Sequence, residues 1–535
     1  MADEPGKDDA GPADSSTAEK RKKPARTAVL IVHGIGNQRP LDTLRGMVRA
    51  VWTTDPAVSG PKANHWLHFD RSGDVDLPVV TTSTVAGHDH QIEFHELYWA
   101  HTMAGTRLVA VLLWLFEFVR KGSRPLRRDL VRLWYVAVPF LVAVIAAVVL
   151  LVLDAALVLL GETGALAPPW DLAVPWTLTT VIVIATMRWR GLAVLVAMAA
   201  ALLLAAWAFR GGGSMHEAIL GRIDDRASVF AAGGVLLLFA GMAALFLTSV
   251  IGDAARYYRN SPANIRVRRA VRALGARSLA ALHDEDFDRV IVVAHSLGSV
   301  IAYDVLRAHW SDVCSSFGNV AGTPGLAAQD RFPVRDGKPV GNDVPFTDAE
   351  RATWRNRGRA LLSQLRTDRA TPEKPLWLVT DFVTLGSPLA HARYLNASGR
   401  NERELADDFA ARLGDREAPT CPPRYDEEDG RLTFTPDGDD PARTQYLHHA
   451  ALFALTRWTN LHFPAGTFNG DLIGGTLAGV LGSAIRDIEV PRPRRWGLSW
   501  HTWYWRWADR KPGAPAPRHI AALRDAVNLL DHPET

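Results

Sequence analysis

The sequence predicts an α/β fold whose central sheet is interrupted by an inserted block of about four transmembrane helices. Two apolar, β-branched runs at 27–32 and 290–295 have the composition of buried strands, and the second runs through a turn into a helix at 300–306. Between them, in 106–252, lie apolar runs long enough to cross a bilayer. Since both strands are expected in one sheet, an even number of crossings must return the chain to the side that it left.

The four predicted crossings lie near 133–160, 168–187, 191–209 and 228–251. Several of the 18 tryptophans fall at the ends of these runs, where indole rings favour the membrane interface. Basic residues flank the block at 121–132, 188–190 and 256–269, and the positive-inside rule assigns these flanks to the cytoplasm. We therefore expect a multi-pass integral protein of a bacterial plasma membrane, with the lipid bilayer as a partner and the sheet in the cytoplasm.

The rest of the chain divides around this block. Residues 1–26 are polar and of mixed charge, which predicts a disordered tail. The segments 27–105 and 253–535 are expected to form the two parts of one domain. Within the second part, stretches near 314–373 and 393–445 are rich in glycine, proline and charge, and they are expected to be insertions that form lid or substrate loops.

Composition excludes some classes of protein. A net charge of +3 over 535 residues gives no indication of nucleic-acid binding. Two cysteines far apart, Cys314 and Cys421, do not make a disulfide framework and are typical of a reducing compartment. The histidines His88, His90 and His95 have H-x-H spacing but no accompanying ligand motif, so we expect neither a metal nor another cofactor.

The most specific local pattern is Ala294-His-Ser296-Leu-Gly298, which follows the second strand. A serine on a tight strand-to-helix turn exposes its hydroxyl to a histidine, and small neighbours allow the turn. The same turn directs the N–H of Leu297 toward the position of an oxyanion. The pattern is A-x-S-x-G instead of G-x-S-x-G, and the alternative is an ordinary turn with a surface serine.

A second pattern, His33-Gly34-Ile35-Gly36, follows the first strand. Its glycines let the backbone turn, so that the N–H of Ile35 can donate to a developing negative charge. Alone it is also compatible with a plain β-turn. Together the two patterns predict an oxyanion hole formed by the N–H groups of Ile35 and Leu297, with His33, Gly34 and Gly36 in the supporting loop.

With these motifs and a later strand and loop at 382–389, the chain resembles the α/β-hydrolase superfamily, on its lipase and carboxylesterase side. The resemblance covers about 27–100 and 253–510, and it implies an α/β-hydrolase sheet with a nucleophile, an acid and a histidine in that order. On that order Ser296 is the nucleophile, Asp471 is the acid and His501 is the base.

Each of these roles has an alternative. Asp471 is also compatible with a turn before glycines, and His501 with a packed histidine among tryptophans. His462 is the next candidate base, but it precedes Asp471 and breaks the family order. Asp381 is a weaker candidate acid because it lies inside a strand, and His295 is expected to pack beside the elbow.

These expectations combine into a membrane-embedded serine hydrolase that cleaves an ester, with a lipid ester as one option, through an acyl-enzyme intermediate. An acyltransferase with the same triad is one alternative. A catalytically silent, hydrolase-like membrane scaffold is another.

Overall fold

A computed structural model describes the chain on either side of the segment 104–251. The described residues are 25–35, 39–60, 63–72, 75–103, 114, 252–258, 262–367, 377–399, 401–464, 471, 473–491, 500–507 and 515–534.

The chain alternates between strands and helices. The strands are β1 (Ala25–Val32), β2 (His65–Ser72), β3 (Val75–Thr82), β4 (His90–Leu97), β5 (Arg289–His295), β6 (Val334–Arg335), β7 (Lys338–Pro339), β8 (Val379–Leu385), β9 (Thr433–Phe434), β10 (Tyr446–Leu447), β11 (Arg457–His462) and β12 (Arg486–Glu489). The helices are α1 (Asp42–Val48), α2 (Pro56–Ser59), α3 (Gly252–Tyr258), α4 (Pro262–Asp284), α5 (Leu297–Val313), α6 (Leu326–Asp330), α7 (Asp348–Thr367), α8 (Ala392–Leu395), α9 (Glu402–Gly414), α10 (Leu452–Leu455), α11 (Ala478–Leu481) and α12 (Arg518–Val527).

Eight strands form the central sheet, in the order β12-β11-β8-β5-β1-β4-β3-β2. The strands from β12 to β4 are parallel, and β3 and β2 add an antiparallel hairpin at one edge. Strand β1 has β4 as its neighbour on one side and β5 as its neighbour on the other, so the direction in which strands are added reverses at β1. The carboxyl ends of β1 and β5 therefore flank a topological switch point, where ligands bind in sheets of this kind.

Both faces of the sheet are covered. All seven residues of β5 are buried, as expected for a parallel strand between two layers. Val290 and Val292 face the core that α4 and α5 complete. Ile291 and Val293 face a second core, which α1 and α12 complete. The alternation along β5 thus anchors the elbow that follows it between two packed layers.

The ends of the segment 104–251 lie side by side. The chain reaches Met103 at the end of a 3₁₀ turn, Ala100–Met103, and the structure describes it again from α3 onward. A guanidinium N–H of Arg256 donates to the Met103 carbonyl oxygen at 2.8 Å. The segment therefore leaves and rejoins the α/β domain at one place.

The predicted transmembrane insertion is corrected by the structure. Among the described residues, no helix combines the length and the apolar composition that a membrane crossing requires. The two longest of these helices, α4 and α7, each carry five arginines, and a crossing needs about 20 mainly apolar residues. Over the described residues, the fold class is therefore α/β with a mostly parallel sheet and without a transmembrane block.

The predicted multi-pass membrane location, with the sheet on the cytoplasmic side, is wrong on the same finding. The apolar runs near 133–160, 168–187, 191–209 and 228–251, on which both predictions depended, lie outside the described residues.

The predicted insertions are more ordered than their composition indicates. The first contains α6, a β6–β7 hairpin and α7, which has 20 residues. Trp354, Leu361 and Leu365 are buried on one side of α7, at helical spacing. Charged residues between them obscure the apolar stripe in the sequence. At the other end of the domain, β1 begins at Ala25, two residues inside the predicted tail.

Candidate active site

The turn between β5 and α5 holds Ser296 in a conformation that few residues other than glycine adopt. Its φ is +53° and its ψ is −132°, a backbone strain of about 1–3 kcal/mol. The N–H of Ser296 donates to the Leu385 carbonyl oxygen at 3.0 Å. The Ser296 carbonyl oxygen accepts the hydroxyl of Ser299 at 2.6 Å. Hydrogen bonds to two neighbouring elements therefore hold the strained turn in place.

Two glycines allow β1 to touch this turn. A Cβ atom on Gly298 would lie 2.2 Å from the His33 carbonyl oxygen and 2.6 Å from that of Val32. A Cβ atom on Gly34 would lie 2.7 Å from Nδ1 of His295 and 2.9 Å from Cβ of Ser296. The two sequence motifs thus meet through contacts that only glycine permits.

Ser296, His501 and Asp471 form a continuous hydrogen-bonded chain. Nε2 of His501 lies 2.7 Å from Oγ of Ser296. Nδ1 of His501 lies 2.9 and 3.0 Å from the two carboxylate oxygens of Asp471. With an anionic Asp471, Nδ1–H donates to the carboxylate, which leaves the Nε2 lone pair to accept the serine hydroxyl. The imidazole is therefore oriented as a base toward Ser296.

The environment of Asp471 keeps it ionised. Burial raises the pKa of Asp471, but His501 and the hydrogen bonds to its oxygens together bring that pKa well below its usual range. These hydrogen bonds come from the N–H groups of Ile473 and Gly474, each at 2.9 Å, and from the Tyr504 hydroxyl at 2.7 Å. A fully satisfied buried carboxylate is a rigid acceptor for the histidine.

The turn after β8 passes directly below the acid. Gly386 has a φ of +57°, and a Cβ atom there would lie 2.5 Å from Oδ2 of Asp471 and 3.0 Å from Nδ1 of His501. Glycine at this position therefore provides both the backbone conformation and the space that the Asp471–His501 pair occupies.

His295 supports the site from the other side of Ser296. Its Nε2 lies 2.6 Å from the carbonyl oxygen of His501, and its ring packs edge-on against Trp505 at 4.8 Å between centroids. Burial, and then the nearby His501, lower the pKa of His295 to about 3. A neutral His295 therefore donates Nε2–H to the backbone of the His501 turn.

The candidate oxyanion loop is built on His33. Its ring stacks on Trp99 at 4.8 Å between centroids, and the Trp99 indole donates to the His33 carbonyl oxygen at 2.9 Å. Burial lowers the pKa of His33 to about 4, so the ring is neutral. Ile35 packs against the core that contains Leu297, the first residue of α5. Gly36 lies outside the described residues.

Other candidates lie elsewhere. His462 is the last residue of β11 and pairs with Glu489 of β12. Asp381 is buried near the amino ends of the strands, in ion pairs with Arg289 at 2.5 Å and Arg457 at 2.8 Å, which is a structural role. Within the described parts of the chain, no group of three or more histidine, cysteine, aspartate or glutamate side chains is arranged to hold a metal ion.

Sequence reasoning missed two residues of the site. The Tyr504 hydroxyl donates to Asp471, but the surrounding W-x-x-W-Y-W pattern is equally typical of plain packing. Ser387 lies 2.7 Å, oxygen to oxygen, from Ser299 and so supports the elbow. The only available signal was its place next to Gly386 in the 382–389 motif.

No protein-family model, curated protein or solved structure matches this chain. The function must therefore be argued from the geometry of the site and from the resemblance of its motifs.

Proposed function

We propose that the protein is a serine hydrolase of the α/β-hydrolase type, which cleaves a carboxylic ester through an acyl-enzyme intermediate. The observation that carries this proposal is the hydrogen-bonded chain Asp471–His501–Ser296, in which the Nε2–Oγ distance is 2.7 Å. Ser296 follows β5 directly, beside the topological switch point of the sheet, and α/β sheets of this kind bind their ligands at that point.

In the first half-reaction, Oγ of Ser296 attacks the ester carbonyl carbon while Nε2 of His501 takes the hydroxyl proton. The tetrahedral intermediate collapses by breaking the bond to the alcohol oxygen, which receives that proton from His501. In the second half, His501 takes a proton from water, and the resulting hydroxide attacks the acyl carbon. Collapse of this intermediate releases the acid and returns the proton to Oγ of Ser296.

The oxyanion would be bound by backbone donors at the meeting of β1 and α5. Leu297 opens α5, so its N–H has no carbonyl partner within the helix, and the helix dipole favours negative charge there. Ile35 follows the His33–Gly34 turn that contacts Ser296. These two N–H groups are the proposed oxyanion hole, and Asp471 would stabilise the imidazolium that forms on His501.

Labelling with a fluorophosphonate tests this proposal. The wild type should be labelled covalently and should hydrolyse 4-nitrophenyl acetate, because both reactions need the nucleophilic serine. Ser296→Ala should lose both. Ser311→Ala, an exposed serine of the same helix, is the matched control and should keep both. A wild type that resists labelling and has no esterase activity would contradict the proposal and favour a catalytically silent scaffold.

A further inference from the structure

A cavity of about 540 Å³ lies along the helix that begins at Ser296. Its wall includes Val300, Tyr303, Asp304 and Arg307, which form one stripe of α5 that starts one turn after the candidate nucleophile. Leu389 lines it as well, and its N–H donates to the Ser387 hydroxyl that supports the elbow. The cavity therefore begins one helical turn from the candidate nucleophile, beside a residue that contacts the elbow.

The cavity is rich in positive charge. Its charged lining residues are Arg268, Arg272, Arg307, Arg412, Asp304 and Glu417, so guanidinium groups outnumber carboxylates. The carboxylates are already engaged by protein groups. Asp304 accepts the Tyr257 hydroxyl at 2.6 Å and lies 3.5 Å from Arg307. Glu417 lies 3.3 Å from Arg412. Arg272, on α4, is the lining arginine for which the described residues offer no such carboxylate partner.

Arg272 is the clearest part of this excess. It is half-buried, and among the described residues no ion pair with a carboxylate includes it. It lines the cavity together with Tyr257 and Asp304, which are hydrogen-bonded to each other. An arginine that lines a cavity without a carboxylate partner is suited to bind an anion, because its planar donors match a carboxylate or a phosphate.

We propose that this cavity binds an anionic group at the far end of the acyl chain, so that the preferred substrates are esters whose acyl part ends in a carboxylate or a phosphate. The inference rests on the proposed function. Asp304 lies two turns after Ser296, about 12 Å along the helix. A chain of about eight carbons then places one end at Ser296 and its charged end at Arg272.

A pair of substrates that differ in one charge tests this inference. Mono-4-nitrophenyl suberate ends in a carboxylate, and 4-nitrophenyl methyl suberate carries a neutral ester in its place. Wild type should show a kcat/KM for the charged substrate at least about tenfold higher, since hydrogen bonds to charged groups contribute that much to binding. Arg272→Gln should remove most of this preference through KM, with kcat/KM for the neutral substrate unchanged.

Two variants separate charge from folding. Arg272→Lys should keep part of the preference, because it keeps the positive charge but loses the planar pair of donors. Arg277→Gln, an exposed arginine on the same helix, should behave as wild type. Equal kcat/KM for the two substrates in wild type, or an unchanged preference in Arg272→Gln, overturns the inference while esterase activity stands. A wild type with neither esterase activity nor fluorophosphonate labelling overturns the proposed function itself.

Competitive inhibition distinguishes a carboxylate from a phosphate as the anion that the cavity binds. Suberate and octyl phosphate should each inhibit hydrolysis of the neutral substrate competitively in wild type, and at least about tenfold less strongly in Arg272→Gln. Inhibition by only one of them assigns the cavity to that anion. Inhibition that is not competitive, or that Arg272→Gln does not weaken, contradicts a site for the acyl end.

Discussion

A single hydroxyl connects the end of β11 to the candidate triad. The Phe463 N–H donates to the Tyr504 oxygen at 3.1 Å, and the Tyr504 hydroxyl donates to Oδ2 of Asp471 at 2.7 Å. Burial and the neighbouring Asp471 raise the pKa of Tyr504 well above its usual value, so the group remains a donor. It therefore helps to orient the carboxylate that orients His501.

Tyr504→Phe should lower kcat for 4-nitrophenyl acetate on the order of tenfold, because Asp471 loses one donor while His501 stays in place. Asp471→Asn should lower kcat far more, on the order of 10⁴-fold, because an amide at this position favours the wrong tautomer of the His501 imidazole. Stopped-flow or steady-state hydrolysis measures both. Tyr446→Phe, in the β9–β10 hairpin, is the control. If Tyr504→Phe matches wild type, the hydroxyl has no part in positioning the acid.

At the scale of elements, the contact between the end of β1 and the start of α5 sets the geometry of the site. Gly298→Ala would place a methyl group 2.2 Å from the His33 carbonyl oxygen, so α5 and β1 must separate. We expect a loss of about 1–3 kcal/mol in the free energy of unfolding from overpacking. We expect a loss in kcat of about 10²-fold or more, because the two oxyanion donors move apart.

Gly479→Ala is the matched control, since nothing lies within 4 Å of a Cβ atom at this position. It should keep full activity and should not lose stability, since alanine inside a helix stabilises by up to about 1 kcal/mol relative to glycine. Urea denaturation and ester hydrolysis provide both readouts. Full activity in Gly298→Ala would show that the β1–α5 contact does not determine the site.

For the whole molecule, buried histidines make stability depend on pH. Burial lowers the pKa of six of them, to about 4 for His33 and His309 and to about 3 for His95, His283, His295 and His448. In the unfolded chain these groups bind protons below about pH 6.5, while in the folded chain they stay neutral. Stability is therefore complete above pH 6.5 and is lost as pH falls toward the folded values. Glu96 has the opposite effect on stability. Burial raises its pKa to about 7, so the folded chain takes up a proton there on acidification before the unfolded chain does.

Between pH 7.5 and 5.5 we expect the free energy of unfolding to fall by about 5–7 kcal/mol, because each of the six histidines contributes about 1.4 kcal/mol and Glu96 offsets about 2 kcal/mol. Urea denaturation at both pH values measures the change. His448→Gln should reduce the fall by about 1.4 kcal/mol, and His449→Gln, its exposed neighbour, should not. A free energy of unfolding that stays constant, or rises, on acidification would contradict this origin.

The sequence by itself determined the local parts of the site. The strands β1, β5 and β8 and the turn at Ser296 follow from short-range patterns, because apolar, β-branched runs and turn sterics act within a few residues. The family order of nucleophile, acid and base led to Asp471 and His501, although 205 positions separate His501 from Ser296. Composition misled where charged residues hid the apolar stripe of α7, and where apolar runs were interpreted as a membrane block.

Only the tertiary structure decided which distant groups meet. The Tyr504 hydroxyl below Asp471, the bond from His295 to the His501 backbone and the position of Arg272 in the cavity beside α5 have no local signature. Each depends on the order in which parallel strands pair, since that order brings loops from distant parts of the chain to one edge of the sheet. A hydrogen bond between such loops is specified by the packing of both cores, and no short stretch of sequence contains that information.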